Sequence, residues 1–330
     1  MEPLTTSRVP RAIAGLAFVT CGILAARAAP AAAPCRLEEG TALFEARKFP
    51  DARRALEPCA ATDAKASLYV GRAWLAQNDF EHAIPAFEKA VALEPKSSDA
   101  HMWLGRAMAQ KAAKANVFQQ ASLAGKIHKE FDQAVVLDPA SVEARLSLMD
   151  FYLLAPGIMG GSVAKAQEQA AEIRRRDPLK GYQAAGKIAE NEKHFDAAEA
   201  EYEKAQREFP QRKEPYFWRA SLAAKQKQYG RGFDILESLL KAMPGDETIY
   251  FTIGRYGAQT GERLDRAEEC LKRYLQHEPG KDEPALSSTH FQLGVLYDKK
   301  GDRQSARREW QQALTLDPEH SGAKEALAKK

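Results

Sequence analysis

The chain repeats itself. The segments "VGRAWLAQNDFEHAIPAFEKAVALEP" (70–95), "AGKIAENEKHFDAAEAEYEKAQREFP" (185–210) and "LGVLYDKKGDRQSARREWQQALTLDP" (293–318) share a glycine, an alanine twelve residues later, an aromatic ring four after that, an alanine three further on and a closing proline. Self-similarity over so short a period means stacked supersecondary units, each too small to bury its own apolar face and completed by its neighbours. The spacing has a direct reading in packing. Gly71, Gly186 and Gly294 let a first helix approach a second, Ala83, Ala198 and Ala306 accept that approach, and Phe87, Tyr202 and Trp310 fill the space between neighbouring hairpins.

Weaker copies occupy the intervals. Gly105, Phe131, Ala134 and Pro139 mark one; Gly254, Ala267 and Pro279 another; Tyr229, Leu236 and Pro244 a third, with Ala220 in the glycine's place; Gly40, Ala52 and Leu56 open the series. With a further unit ending at Pro178, about eight hairpins span residues 33–318, and the polar tail "EHSGAKEALAKK" (319–330) is expected to form a cap helix over the open end. The pattern resembles the tetratricopeptide repeat, a helix–turn–helix unit of about 34 residues. That resemblance implies an all-α fold, a right-handed superhelical solenoid whose first helices line a concave groove.

Two units depart from the spacing. In "FYLLAPGIMGGSVAKAQEQA" (151–170), the distance from Met149, at the glycine's position, to Ala166 is seventeen residues instead of twelve. The five added residues predict an enlarged turn near 155–162: Pro156 and Gly157 stop the first helix, Gly160 and Gly161 reverse the chain, and Ser162 caps the second. Three glycines before a helix also invite a phosphate-binding reading, but no strand precedes them and no Lys-Ser or Lys-Thr follows, so a structural turn is expected. In the preceding unit Gly105 and Ile127 are twenty-two residues apart, which places ten extra residues within 110–131 and predicts an enlarged turn near 110–126. The two enlargements fall on one edge of adjacent hairpins. They are expected to touch, with Val117, Phe118, Ile158 and Met159 packing on each other. Together they resemble the inserts of a group of exported bacterial tetratricopeptide proteins.

The N-terminus agrees with export. Arg8 and Arg11 precede the uncharged run "AIAGLAFVTCGILAA" (12–26), and Ala26-Arg27-Ala28 fits a small-x-small cleavage site. Residues 1–28 therefore read as a signal peptide, the run being shorter than the roughly 20 residues that span a bilayer. The expected location is the bacterial periplasm or outside the cell. In such an oxidising compartment Cys35, at the start of the first helix, and Cys59, near the end of the second, are expected to form a disulfide, because antiparallel helices bring those ends together.

Composition narrows function by exclusion. A hydrophobic content of 45% excludes general disorder. The formal charge of +3 falls by two when the signal segment, with its three arginines and Glu2, is removed; nucleic acid is not expected as a partner. No His-Glu-x-x-His, Gly-x-Ser-x-Gly or Cys-x-x-Cys occurs, and the seven histidines are scattered. No enzyme activity, cofactor or metal site is expected, nor a membrane span after signal cleavage. Positions facing the groove include Leu68, Met102 and Asp150, and the candidate partner contacts are Arg72, Arg106, Lys187, Phe217, Phe251, Arg255 and Phe291. Arginines beside aromatic rings suit an extended peptide with acidic groups. Some family members clamp a C-terminal carboxylate with Lys and Asn where this chain has Leu68 and Arg72, so the resemblance does not carry that ligand over. The expected function is a non-enzymatic protein–protein interaction scaffold of the periplasm, holding a protein or peptide in its groove. The alternative is a binder of small molecules or cell-wall fragments that uses the enlarged loops.

Overall fold

A computed structural model describes residues 34–280 and 283–329; the expected signal peptide lies outside them. Pro34–Lys330 form one compact unit. Seventeen α-helices follow one another among the described residues: α1 (Leu37–Glu45), α2 (Phe49–Ala60), α3 (Ala64–Ala76), α4 (Phe80–Leu93), α5 (Ser98–Ala113), α6 (Val117–Leu137), α7 (Val142–Leu154), α8 (Val163–Arg176), α9 (Pro178–Asn191), α10 (Phe195–Glu208), α11 (Glu214–Lys225), α12 (Tyr229–Ala242), α13 (Glu247–Thr260), α14 (Leu264–Tyr274), α15 (Leu286–Lys299), α16 (Arg303–Leu316) and α17 (Ser321–Ala328). A 3-10 turn at Gly157–Met159 separates α7 from α8, and no described residue lies in a strand. Helices pack on those one and two places along the chain, which is the contact pattern of a solenoid.

Local chemistry sets the helix ends. Asp63, Asp79, Ser97, Ser141, Asp177 and Asp302 each accept a hydrogen bond from a backbone N–H three residues on, satisfying a donor that the first turn leaves free. Short turns inside the hairpins carry a residue in the left-handed region, among them Asn78, Lys193 and Lys227, which ends the first helix abruptly. Between the paired helices the small residues set how closely the backbones approach. A side chain at Gly186 would overlap the ring of Tyr202, itself fully enclosed between α9 and α11, so close approach of α9 and α10 requires glycine there.

The third hairpin differs from its sequence reading. Its ten extra residues do not enlarge the turn but lengthen both helices, α5 to 16 residues and α6 to 21, joined by a short link at 114–116. The insert is rich in alanine, lysine and glutamine and has no glycine or proline before Gly125, so helix continues wherever a partner helix lies alongside. Asn116 and Gln119 form a reciprocal capping box that fixes where α6 begins. In the fourth hairpin the extra residues do form a turn. Gly160 has φ of 100°, and a Cβ at Gly161 would overlap the carbonyl oxygen of Ala155. Ser162 caps α8 by accepting from the Lys165 N–H at 3.3 Å. The first hairpin is closed by the Cys35–Cys59 disulfide, with Cα atoms 5.1 Å apart.

Near the C-terminal end Glu268 of α14 accepts from the Tyr297 hydroxyl at 2.8 Å and from Lys300 Nζ at 2.7 Å, and pairs with Lys272 at 2.6 Å. Burial alone would raise its carboxyl; the hydrogen bonds from Lys272, Lys300 and Tyr297 outweigh it and hold the group at about 2 against an ordinary 4.5. A depressed carboxylate stabilises the fold above its unfolded value, and that contribution is lost as pH falls from about 4.5 toward 2. Glu268→Gln should therefore lower the melting temperature at neutral pH and flatten its decline across that window. An unchanged acid limb would remove Glu268 as its source.

Candidate functional site

A cavity of about 770 Å³ opens between α5, α6, α7 and the 155–162 turn. Its floor is Ala124, Ile127 and Phe131 of α6 with Leu146 and Phe151 of α7, all buried. Alanines of α5 form one wall; Leu154, Ala155, Pro156 and Met159 form the opposite one. The volume and the apolar lining match what is needed to enclose a bulky side chain or a small ligand. The cavity exists because of the two departures from the repeat. Lengthening α6 extends its inner face, Gln120, Ala124, Ile127 and Phe131 at i, i+4, i+7 and i+11, and the added turn covers the far side.

Polar groups gather on the edge that faces α9. Arg106 donates from Nε to Ser147 Oγ at 2.9 Å and from Nη2 to Glu143 at 2.8 Å, and Lys187 Nζ donates to both oxygens of Asp150 at 2.8 Å. These contacts tie α5 to α7 and α7 to α9. The series continues in both directions. Lys225 of α11 pairs with Glu190 of α9, and Lys213, the residue before α11, pairs with Asp246 before α13 at 2.7 Å. On the N-terminal side the Arg72 guanidinium of α3 lies 4.7 Å from the Phe44 ring of α1 and 4.9 Å from the Trp103 ring of α5. A ladder of cationic contacts thus joins successive first helices from α1 to α13.

The structure sorts the groove residues expected from sequence. Arg106, Asp150 and Lys187 meet at the cavity edge, already partnered by neighbouring helices. Arg72 is held among aromatic rings. Phe217 is half-buried and lines a second depression with Lys213 and Thr252, while Arg255 is exposed beside the Phe251 ring at 5.7 Å. Three residues are placed differently from expectation. Phe251 and Met102 are core, Phe251 packed on Tyr274 at 5.4 Å between centroids, and Phe291 lies under α17, where a side chain at Gly322 would press on its ring. In each case an adjoining helix covers the face that repeat position alone assigns to the groove. Leu68 is half-buried against the core. Lys180, Gln110 and Gln183 were not singled out from the sequence; they line the cavity and their side chains make no hydrogen bond among the described residues.

The enlarged segments touch, as α6 contacts the 3-10 turn, but they do not pack their apolar residues together. Phe118 is 87% exposed and Ile158 95%; Met159 alone tucks into the core. The helical extension turns Val117 and Phe118 outward and presents Gln120 and Ala124 to the turn instead. Among the described residues no cluster of three or more His, Cys, Asp or Glu is placed to hold a metal ion, and no helix is long and apolar enough to cross a membrane.

One tetratricopeptide repeat model matches residues 37–84, 71–116 and 184–247, and another matches residues 287–320. No curated protein matches the sequence. Among solved structures, yeast Tom70 is similar with a TM-score of 0.56 at 15% identity, the match covering 85% of this chain and 59% of that one. A thermophilic tetratricopeptide repeat protein of Thermus thermophilus is 18% identical with a TM-score of 0.48, covering 56% of this chain and 96% of that one. A tetratricopeptide repeat protein of Parabacteroides merdae is 13% identical with a TM-score of 0.44, covering 80% and 97% respectively.

Proposed function

The chain belongs to the tetratricopeptide repeat family, a fold that serves protein–protein interaction, and from that premise we propose that it is an exported periplasmic scaffold holding an extended peptide segment of a partner protein, anchored by one bulky apolar side chain in the cavity between α5, α6 and α7. The observation that carries this reading is the cavity itself: an apolar floor of side-chain size on the groove face, edged by polar groups whose bonding capacity is still free. Gln110 and Gln183 offer amides to a peptide backbone, and Lys180 offers a cation to an acidic neighbour of the anchor. Arg106 and Lys187, spent on Glu143 and Asp150, shape the edge without being the principal ligands. Export rests on the apolar run at 12–26 and on a disulfide that an oxidising compartment would preserve; the mass of the exported chain, shortened by its first 28 or so residues, tests it.

Binding is tested with an array of peptides from exported proteins. Those captured should share a large apolar residue, and Ala113→Trp, which fills the cavity from an exposed position, should weaken them about tenfold or more while the melting temperature holds. Lys180→Glu should weaken acidic peptides selectively. Peptide binding indifferent to both substitutions sinks the assignment. A second reading rests on the same volume, which also suits a small ligand: a thermal shift with cell-wall glycan fragments, abolished by Ala113→Trp and unaccompanied by peptide binding, would move the site to that class.

A further inference from the structure

Four of the six exposed large apolar side chains among the described residues lie at or beside the linking turns of the two enlarged hairpins: Ile158 (95%), Phe118 (87%), Leu154 (79%) and Val117 (66%). Of the other two, Val136 lies at the far end of α6 and Leu316 in α16. Phe118 and Val117 open α6, and Ile158 sits in the 3-10 turn of the next hairpin, which α6 touches. Val117, Phe118 and Ile158 stand outside the cavity, and Leu154, at the end of α7, is on its exposed rim. Water is a poor environment for four such side chains grouped this closely.

The charge that these two segments themselves carry is one-sided. From residue 100 to 129 the chain has no aspartate or glutamate but has Arg106, Lys111, Lys114, Lys126 and Lys129; from 151 to 167 it again has none, and Lys165 is the one charged residue. The chain as a whole carries 45 acidic residues against 48 basic ones, so an acid-free stretch of thirty residues is local and not a matter of composition. Lys111 is tied to Glu81 at 2.8 Å, but Lys126, Lys129, Lys114 and Lys165 make no ion pair among the described residues, the first two exposed and the last two lying over the Phe80 and Tyr152 rings at 4.9 and 5.4 Å, with Asp132 and Glu168 the acidic groups nearest Tyr152. Phe118, Ser122, Gly125 and Lys129 run along one exposed stripe of α6, at i, i+4, i+7 and i+11.

A protein partner is ordinarily met by a broad patch of roughly 800 Å² per side with both charges at its rim. Protruding apolar tips on segments whose only charges are cations are complementary instead to the lipid–water boundary, where side chains enter the acyl edge and lysines reach the phosphates. Either signal alone binds weakly, and the two together hold a protein on a membrane. We propose that the turns at 114–118 and 154–159 dock this protein peripherally on an anionic lipid surface, with Phe118, Ile158, Leu154 and Val117 entering the boundary and Lys114, Lys126, Lys129 and Lys165 facing lipid phosphates. The groove stays open beside it, and the inference stands independently of what the cavity holds.

The test uses the chain from residue 29, which keeps the whole compact unit and omits the apolar run at 12–26, sedimented with vesicles of phosphatidylcholine alone or mixed equally with phosphatidylglycerol. Binding is expected to the mixed vesicles, about tenfold weaker to phosphatidylcholine alone and reduced by salt. Phe118→Ser with Ile158→Ser should weaken it about tenfold or more, and so should Lys126→Glu with Lys129→Glu. All four positions are exposed, so circular dichroism and melting should match wild type and separate loss of docking from loss of fold. Failure to bind either vesicle, or equal binding by Phe118→Ser/Ile158→Ser and wild type, overturns the proposal. If that variant instead loses a defined protein partner and no vesicle is ever bound, the surface is a protein-docking face and the membrane assignment is wrong.

Discussion

Gly186→Val is expected to destabilise the fold by about 3 kcal/mol, read as a lower urea midpoint with native helicity unchanged in buffer. The added Cβ would overlap the Tyr202 ring, which is 2% exposed, and Trp218 of the following hairpin stands 5.6 Å away between centroids and limits its retreat. Displacing the ring also weakens the bond its hydroxyl donates to Glu190 at 2.6 Å. Burial, and then that hydrogen bond, push the phenol well above its ordinary 10, so it remains a donor at every working pH. Overpacking costs about 1–3 kcal/mol and a lost bond to a charged group about 1.5–3, against which removal of a helical glycine returns about 1. Gly125 supplies the control of opposite sign. It lies within α6, and a Cβ added there would have nothing within 4 Å, so Gly125→Ala should stabilise by about 0.5–1 kcal/mol. A neutral Gly186→Val would mean that α9 and α10 are not packed as described.

Removing the Cys35–Cys59 bond should have an effect of similar size confined to one end. The bridge spans a sequence separation of 24, for which loop entropy gives about 3 kcal/mol. The first hairpin packs on α3 and α4 and reaches the 279–286 segment through Arg47, whose Nη1 donates to the Glu283 carbonyl at 3.5 Å, so Cys59→Ser should speed amide exchange in α1 and α2 by about a hundredfold while α7 and α8 are unaffected. Thiol counting checks the bond directly. The chain from residue 29, denatured without reductant, should show one thiol, Cys270; the folded chain should show none near pH 8, because Cys270 is buried and burial pushes its thiol up to about 12. Three thiols on denaturation would disprove the bridge.

The repeat was legible because it is written in sizes. Glycine, alanine and a ring at fixed intervals encode how near two helices come, and that signal survives wherever the units are regular. Counting intervals also located both irregular hairpins, but a count gives the number of extra residues and not their conformation. Breakers decide that: Pro156 and three glycines in the fourth hairpin made a turn, whereas the third, without them until Gly125, extended as helix. The cavity followed from that extension and was therefore not foreseen. Repeat position likewise tells which face a residue occupies but not what a long side chain reaches across to. Arg106 and Lys187 face the groove and are taken up by Glu143 and Asp150 of the adjacent hairpin, while the ring of Phe251 is covered by Tyr274.

The cationic ladder between successive first helices also governs mechanics. A stack joined only through neighbours behaves as a spring, since small rotations at each joint add along the chain without breaking any core. The contacts of Arg106, Lys187, Lys225 and Lys213 cross those joints on the inner side, so they resist unwinding most where the cavity lies. They are partly solvated, the Asp150–Lys187 pair being 38% exposed on both sides, and each is worth at most about 1 kcal/mol at low salt. Ionic strength then sets the stiffness of the inner wall: in dilute buffer the coil keeps its pitch, and in strong salt it becomes more extensible while its hairpins stay folded.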